Sequence, residues 1–167
     1  PTRRSAGSAT NVLTRGAWEG ADLREVVESA IASVRNGSHG RFIFGGPRIW
    51  LSPRLSLAFV LALHELATNA VKYGALSNDE GRVILNWDFV DGPSRERIWM
   101  RWEEISGPEV VEPSRKGFGS RMIEQALSLE LKGKAEIDYR PSGIVFTVEA
   151  PIPPKAIDSR STAAIFD

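Results

Sequence analysis

The chain has 167 residues, 42% of them hydrophobic and 25% charged, which fits one globular domain with a real core. A formal net charge of +0 gives no electrostatic draw to nucleic acid or anionic lipid, and the lack of cysteine excludes disulfides, thiolate zinc sites and cysteine nucleophiles. No apolar run reads as long enough to span a bilayer and no signal peptide opens the chain, so a cytoplasmic domain without membrane contact is expected.

Residues 1–11 are polar, small and basic, and read as a frayed end; residues 12–18 read as a short helical remnant. The chain starts at Pro1 and not at Met, as a fragment would. A helix is expected over residues 21–35, capped by Asp22, with Leu23, Val26, Val27, Ala30, Ile31 and Val34 at helical spacing and Asn36-Gly37 as its stop. His39, alone in the next loop, reads as a solvated side chain. Two extended runs follow, 41–44 and 48–51, and Gly45-Gly46-Pro47 between them reads as a hairpin turn.

Ser52 as N-cap and Pro53 in the first turn open a long helix that runs to Tyr73 and stops at Gly74. Its second half, LALHELATNAVKYGAL over residues 61–76, is apolar but interrupted by His64, Glu65, Asn69, Lys72 and Tyr73. At about 100° per residue, Glu65, Asn69 and Lys72 fall within roughly 60° of one another. A carboxylate, an amide oxygen and an ammonium on one face suit a hydrated Mg²⁺ and a phosphate chain; an ordinary wet helix face is the plain alternative.

Residues 82–90 alternate, with Val83, Leu85, Trp87 and Phe89 on one side. Asp91-Gly92-Pro93 turns the chain, and residues 97–103 form the paired strand through Ile98, Met100 and Trp102, with Glu103 and Glu104 at its end. Residues 105–116 read as a loop, and a helix is expected over 120–131 after Gly117-Phe118-Gly119. Glycines before a helix N-terminus offer backbone amides and a positive dipole end to phosphate, with Lys116 and Arg121 adding charge. A Gly-x-Gly alone is as often a plain loop, and no Gly-Lys-Ser/Thr is present to make a Walker loop. A last strand pair is expected over 134–140 and 144–150, then a tail over 153–167. Strands arrive as hairpins, so the expected fold is an α/β two-layer sandwich with a mixed, mostly antiparallel sheet and helices on one face.

The three elements together resemble the boxes of one family. HELATNAVKYGALS, residues 64–77, is similar to the N box of the HWE subfamily of bacterial sensor histidine kinases. The subfamily takes its name from a His in that box and a later Trp-x-Glu, here His64, Trp102 and Glu104, and Gly117-Phe118-Gly119 falls where its glycine box does. The resemblance covers residues 13–152 and implies the GHKL (Bergerat) ATP-binding fold over 19–152, with 1–18 left from an upstream dimerisation region. By resemblance, Asn69 coordinates a Mg²⁺ that bridges the ATP phosphates, and Glu65 orients water or metal or helps as a base. Lys72 contacts phosphate and Tyr73 lines the nucleotide pocket. Glu104 accepts from the adenine amine. Gly107, Gly117 and Gly119 border a lid over the phosphates, with Lys116, Ser120 and Arg121 beside it. His64 is expected to support the site, positioning Glu65 or a lid group.

Ser106 departs from the family pattern, which has glycine there, and the lid is short. No histidine precedes His39, so the phosphoacceptor is expected outside this chain, on upstream dimerisation helices of the same protein or in trans, with a response regulator downstream. A GHKL serine kinase or ATPase of the anti-sigma type, or a nucleotide-holding docking module, stand as alternatives.

Overall fold

The computed structural model describes residues 19–35, 40–90, 96–114 and 118–152. The N-terminal segment, His39, Lys116, Gly117 and the C-terminal tail, on which several expectations fall, lie outside the described residues.

Strand β1 (Ala21–Asp22) leads directly into helix α1 (Leu23–Arg35). Asp22 Oδ1 accepts from the Arg24 amide at 2.9 Å, the N-cap role expected of it. Leu23, Val26, Val27, Ala30 and Ile31 form the buried stripe of α1. Ala21 and Asp22 are extended rather than helical because they pair antiparallel with β3 (Trp50–Leu51).

The expected hairpin over residues 41–51 does not form. Strand β2 (Phe42–Gly45) pairs parallel with β4 (Arg82–Phe89), Phe42 opposite Val83 and Gly45 opposite Asn86, while β3 belongs to the small sheet with β1. The Gly-Gly-Pro stretch crosses β4 instead of turning back. Pro47 O accepts from Trp87 Nε1 at 2.8 Å, and a Cβ on Gly46 would lie 2.3 Å from Trp87 O. The partner of β2 therefore comes from beyond the next helix, a strand–helix–strand crossover.

That helix, α2 (Pro53–Lys72), begins as read: Ser52 Oγ accepts from the Leu55 amide at 3.3 Å and Pro53 takes the first helical position. By length and composition its 20 residues are apolar enough to cross a membrane, which the sequence reading missed. Here one face, including Phe59, Leu63, Leu66 and Ala70, is buried against the rest of the domain, as in the core helix of a globular fold.

After a 3₁₀ turn (Ala75–Ser77), β4 and β5 (Arg97–Ile105) pair antiparallel, with Val83, Leu85, Trp87, Ile98, Met100 and Trp102 buried as the alternation requires. β5 runs two residues past its expected end, so Glu104 keeps the inward register of Trp102. Helix α3 (Phe118–Leu131) starts two residues before the expected Ser120 and thereby takes Gly119 into its first turn. β6 (Lys134–Arg140) and β7 (Gly143–Pro151) form the last hairpin. The main sheet has five strands in the order β2-β4-β5-β7-β6, parallel only at β2–β4, with α2 packed between α1 and α3. This is the expected mixed two-layer sandwich.

Candidate functional site

Where α2 ends, the helix layer and the sheet part to leave a cavity of about 420 Å³. The helix contributes Glu65, Leu66 and Asn69, the residues just past its end contribute Tyr73 and Gly74, and β5 contributes Glu104. The loop after β5 contributes Glu109, Val110, Val111 and Pro113, and Ile123, Ile137, Tyr139 and Ile144 close the apolar side. That loop is tied down by the Val110 amide, which donates to Pro141 O at 3.1 Å.

The deepest polar group is Glu104, only 3% exposed. Its Oε2 accepts from the Ala75 amide at 3.0 Å, and its Oε1 from Trp102 Nε1 at 3.2 Å. Burial pushes its carboxyl above the ordinary carboxylate range, and the bonds from the Ala75 amide and the Trp102 indole pull it partly back. The surroundings are close-packed backbone. A Cβ on Gly74 would lie 2.2 Å from Glu104 Oε2, and one on Gly143 would lie 1.8 Å from Glu104 O. Gly143 also has φ +151°, a conformation that favours glycine.

Of the residues singled out in the sequence, the structure brings Glu65, Asn69, Tyr73 and Glu104 to one cavity, with Trp102 directly behind it. On the helix, Glu65, Asn69, Tyr73 and Leu66 span about 100° of arc, and Lys72 projects about 20° beyond the Glu65 edge. Lys72 is exposed and not in the lining, as is Arg121 in the first turn of α3. Gly107 is also outside the lining: it packs against Ala75, where a Cβ would lie 2.5 Å from Ala75 Cα. Gly119 and Ser120 fall in the first turn of α3. His64 is exposed and on the other side of Glu65; its carbonyl accepts from Thr68 Oγ1 at 2.8 Å. Ser106 has φ 56°, the left-handed conformation for which glycine is the usual residue.

Sequence reasoning missed Gly74 and Ala75 as parts of the site, and the wall made by 109–113 with Ile123, Ile137, Tyr139 and Ile144. Continuing the β5 alternation by one more inward position would have placed Glu104 inside; nothing in the sequence marks Ala75 as its partner.

The described lining carries three carboxylates, Glu65, Glu104 and Glu109, and no cation. A phosphate chain is repelled from such walls, whereas an uncharged ring with hydrogen-bond donors is accommodated by Glu104 and the apolar side. Among the described residues no three His, Cys, Asp or Glu side chains cluster as a metal site. A divalent ion at Glu65 and Asn69 would take most of its oxygens from a ligand or water, the usual habit of Mg²⁺ beside phosphates.

No protein-family model matches the chain. Among curated proteins, the chain is similar to the blue-light-activated histidine kinase of Brucella ovis, 38% identical over 152 residues that make 91% of this chain and 31% of that protein. It is likewise similar to the blue-light-activated histidine kinase of Brucella anthropi, 39% identical over 149 residues, 89% of this chain and 30% of that protein. The chain thus spans 31% or less of the length of these two relatives. Among solved structures it resembles the histidine kinase domain of an Erythrobacter litoralis blue-light activated histidine kinase, with TM-score 0.65 and 15% identity over 86% of this chain and 70% of that one. The catalytic domain of histidine kinase ThkA gives TM-score 0.58 and 17% identity over 78% of this chain and 94% of that one. The chain is therefore related to histidine kinases over 91% of its length and has the fold of their catalytic domains.

Proposed function

We propose that this domain binds Mg-ATP and serves as the catalytic domain of a two-component sensor histidine kinase, donating the γ-phosphoryl group to a histidine outside the chain. The observation that carries the reading is the convergence of Glu65 and Asn69 from the helix with Glu104 from the strand on one cavity. Its volume of about 420 Å³ is in the range of small-ligand sites. Leu66, Ile123, Ile137 and Ile144 offer apolar surface to a purine, and Glu104 offers lone pairs to its amine.

When bound, ATP supplies the phosphoryl group and Mg²⁺ the charge that neutralises it. Glu65 and Asn69 are the residues that would hold the ion, with Glu65 as the group able to take a proton or orient water. Because the described walls are acidic, the phosphates extend outward from the cavity. Lys72 and Arg121 stand exposed outside it, Gly119 lies in the first turn of α3, and Lys116 and Gly117 precede that helix in sequence, so these are the residues assigned to the phosphates. Tyr73, at the end of α2, borders the opening. Histidine-bearing dimerisation helices and a response regulator are the partners this role requires, and the cytoplasm is its place. The name of the two relatives in Brucella is consistent with such a role for the longer protein.

Calorimetric titration of the folded domain with Mg-ATP tests the reading. Saturable, Mg²⁺-dependent heat is expected, and a folded domain that releases none refutes it.

A further inference from the structure

We propose that Trp102 is a positioning residue: its indole N–H, together with the Ala75 amide, holds Glu104 as an ionised, acceptor-only group facing the cavity. The inference rests on the nucleotide reading for the identity of the ligand, but not for the geometry.

Trp102 and Glu104 are two residues apart on β5 and so share the inward face of the sheet. Trp102 is fully buried, with its ring edge-on to Phe42 at 5.9 Å between centroids. An indole N–H in such a place needs an acceptor, and Glu104 Oε1 supplies it at 3.2 Å. The other oxygen, Oε2, takes the Ala75 amide at 3.0 Å. Each carboxylate oxygen has two acceptor sites, so both keep one for a ligand. A proton placed on either oxygen would make it a poorer acceptor for the N–H that already donates there. The two donors therefore favour the ionised form and offset part of the burial that favours the neutral one.

The ionised form decides what the cavity accepts. A carboxylate with both oxygens fixed takes a donor, such as an exocyclic amine on a purine. A ring carbonyl in the same place would set acceptor against acceptor. A neutral Glu104, freed to rotate, would donate to that carbonyl, and the discrimination would fade. The alternative is that Trp102 only fills space behind the site. Its loss would then lower stability without moving the titration of the carboxyl.

The test compares the wild-type domain with Trp102→Phe, which keeps an aromatic ring and removes the donor. Carbon-13 carboxyl signals of the ligand-free proteins are followed against pH, with Glu104→Gln identifying the Glu104 signal. The Glu104 midpoint is expected to rise by roughly one pH unit in Trp102→Phe. In parallel, Mg-ATP and Mg-ITP, which differ by an amine against a carbonyl, are titrated into both. Wild type is expected to prefer ATP by roughly tenfold, and Trp102→Phe to lose most of that preference. A folded Trp102→Phe with an unchanged midpoint and an unchanged ratio overturns the proposal. Should that variant not fold, the wild-type indole proton signal of Trp102 decides: it is expected to move with the Glu104 midpoint, and a signal that stays fixed through it overturns the proposal. A wild type that binds neither nucleotide refutes the nucleotide reading, while the carboxyl titration still judges the geometry.

Discussion

At the Glu104 end of the cavity every wall is backbone or core: the Ala75 amide, the Trp102 indole, and the glycines at 74 and 143 pressed against the carboxyl group and its own main chain. At the other end Glu65 and Asn69 stand on the half-exposed face of α2, on a helix whose packing is supplied by residues of its other face. The first end is held by structure that cannot move without loss of stability. The second is a pair of side chains that the fold does not need. Under the function proposed above, selectivity would sit where the chain is rigid, and the handling of metal and phosphate where side chains can adjust.

Substitutions at the two ends should therefore separate stability from binding. The largest effect is expected for Gly143→Ala. The new Cβ would overlap Glu104 O, and the positive φ adds strain, so chemical denaturation should show a loss of about 3 kcal/mol. An unchanged midpoint with an unchanged slope would show that the Glu104 end is looser than its packing implies. Gly74→Ala meets the tip of the Glu104 side chain, not backbone, as its nearest atom. It should lower stability by about 1 kcal/mol while weakening Mg-ATP binding about tenfold by turning the carboxylate. Equal affinity in calorimetry would break the link between Gly74 and the carboxylate.

The same end should carry a pH signature. Burial raises the Glu104 carboxyl in the folded protein. As pH climbs through the ordinary carboxylate range, the unfolded chain ionises first, so folding stability contributed by this group falls until the folded form ionises as well. The stability of wild type relative to Glu104→Gln should accordingly be greatest in acid, decline through that window and level off above it. Thermal unfolding of both proteins across pH measures this. A difference that grows with rising pH would contradict the assigned sign. The smallest stability effect belongs to Asn69→Ala at the helix end: within about 0.5 kcal/mol of wild type, yet with the Mg²⁺-dependent part of ATP affinity lost. A large loss of stability, or unaltered Mg²⁺ dependence, would erase the distinction between the two ends.

Two positions show where legibility in the sequence stopped. Gly45-Gly46-Pro47 has the composition of a hairpin turn, and turn composition is a local signal. It cannot report that β2 finds its partner in β4, with a whole helix between them. Glu104 was singled out by its place in a Trp-x-Glu motif, and the alternation of β5 was visible as far as Trp102. Its burial and its bond to Ala75, 29 residues earlier, were not.

Local pattern in the chain is enough to specify the helices, their caps, the alternating strands and the grouping of Glu65 and Asn69 on one helix face. Each of these follows from periodicity or capping within a few residues of chain. Tertiary structure alone decided the parallel partner of β2, the wall formed by residues 109–113 and the enclosure of Glu104 between an amide, an indole and two glycines. These depend on which distant segments come within van der Waals and hydrogen-bond range, and that is set by packing the whole domain, not by any stretch of it.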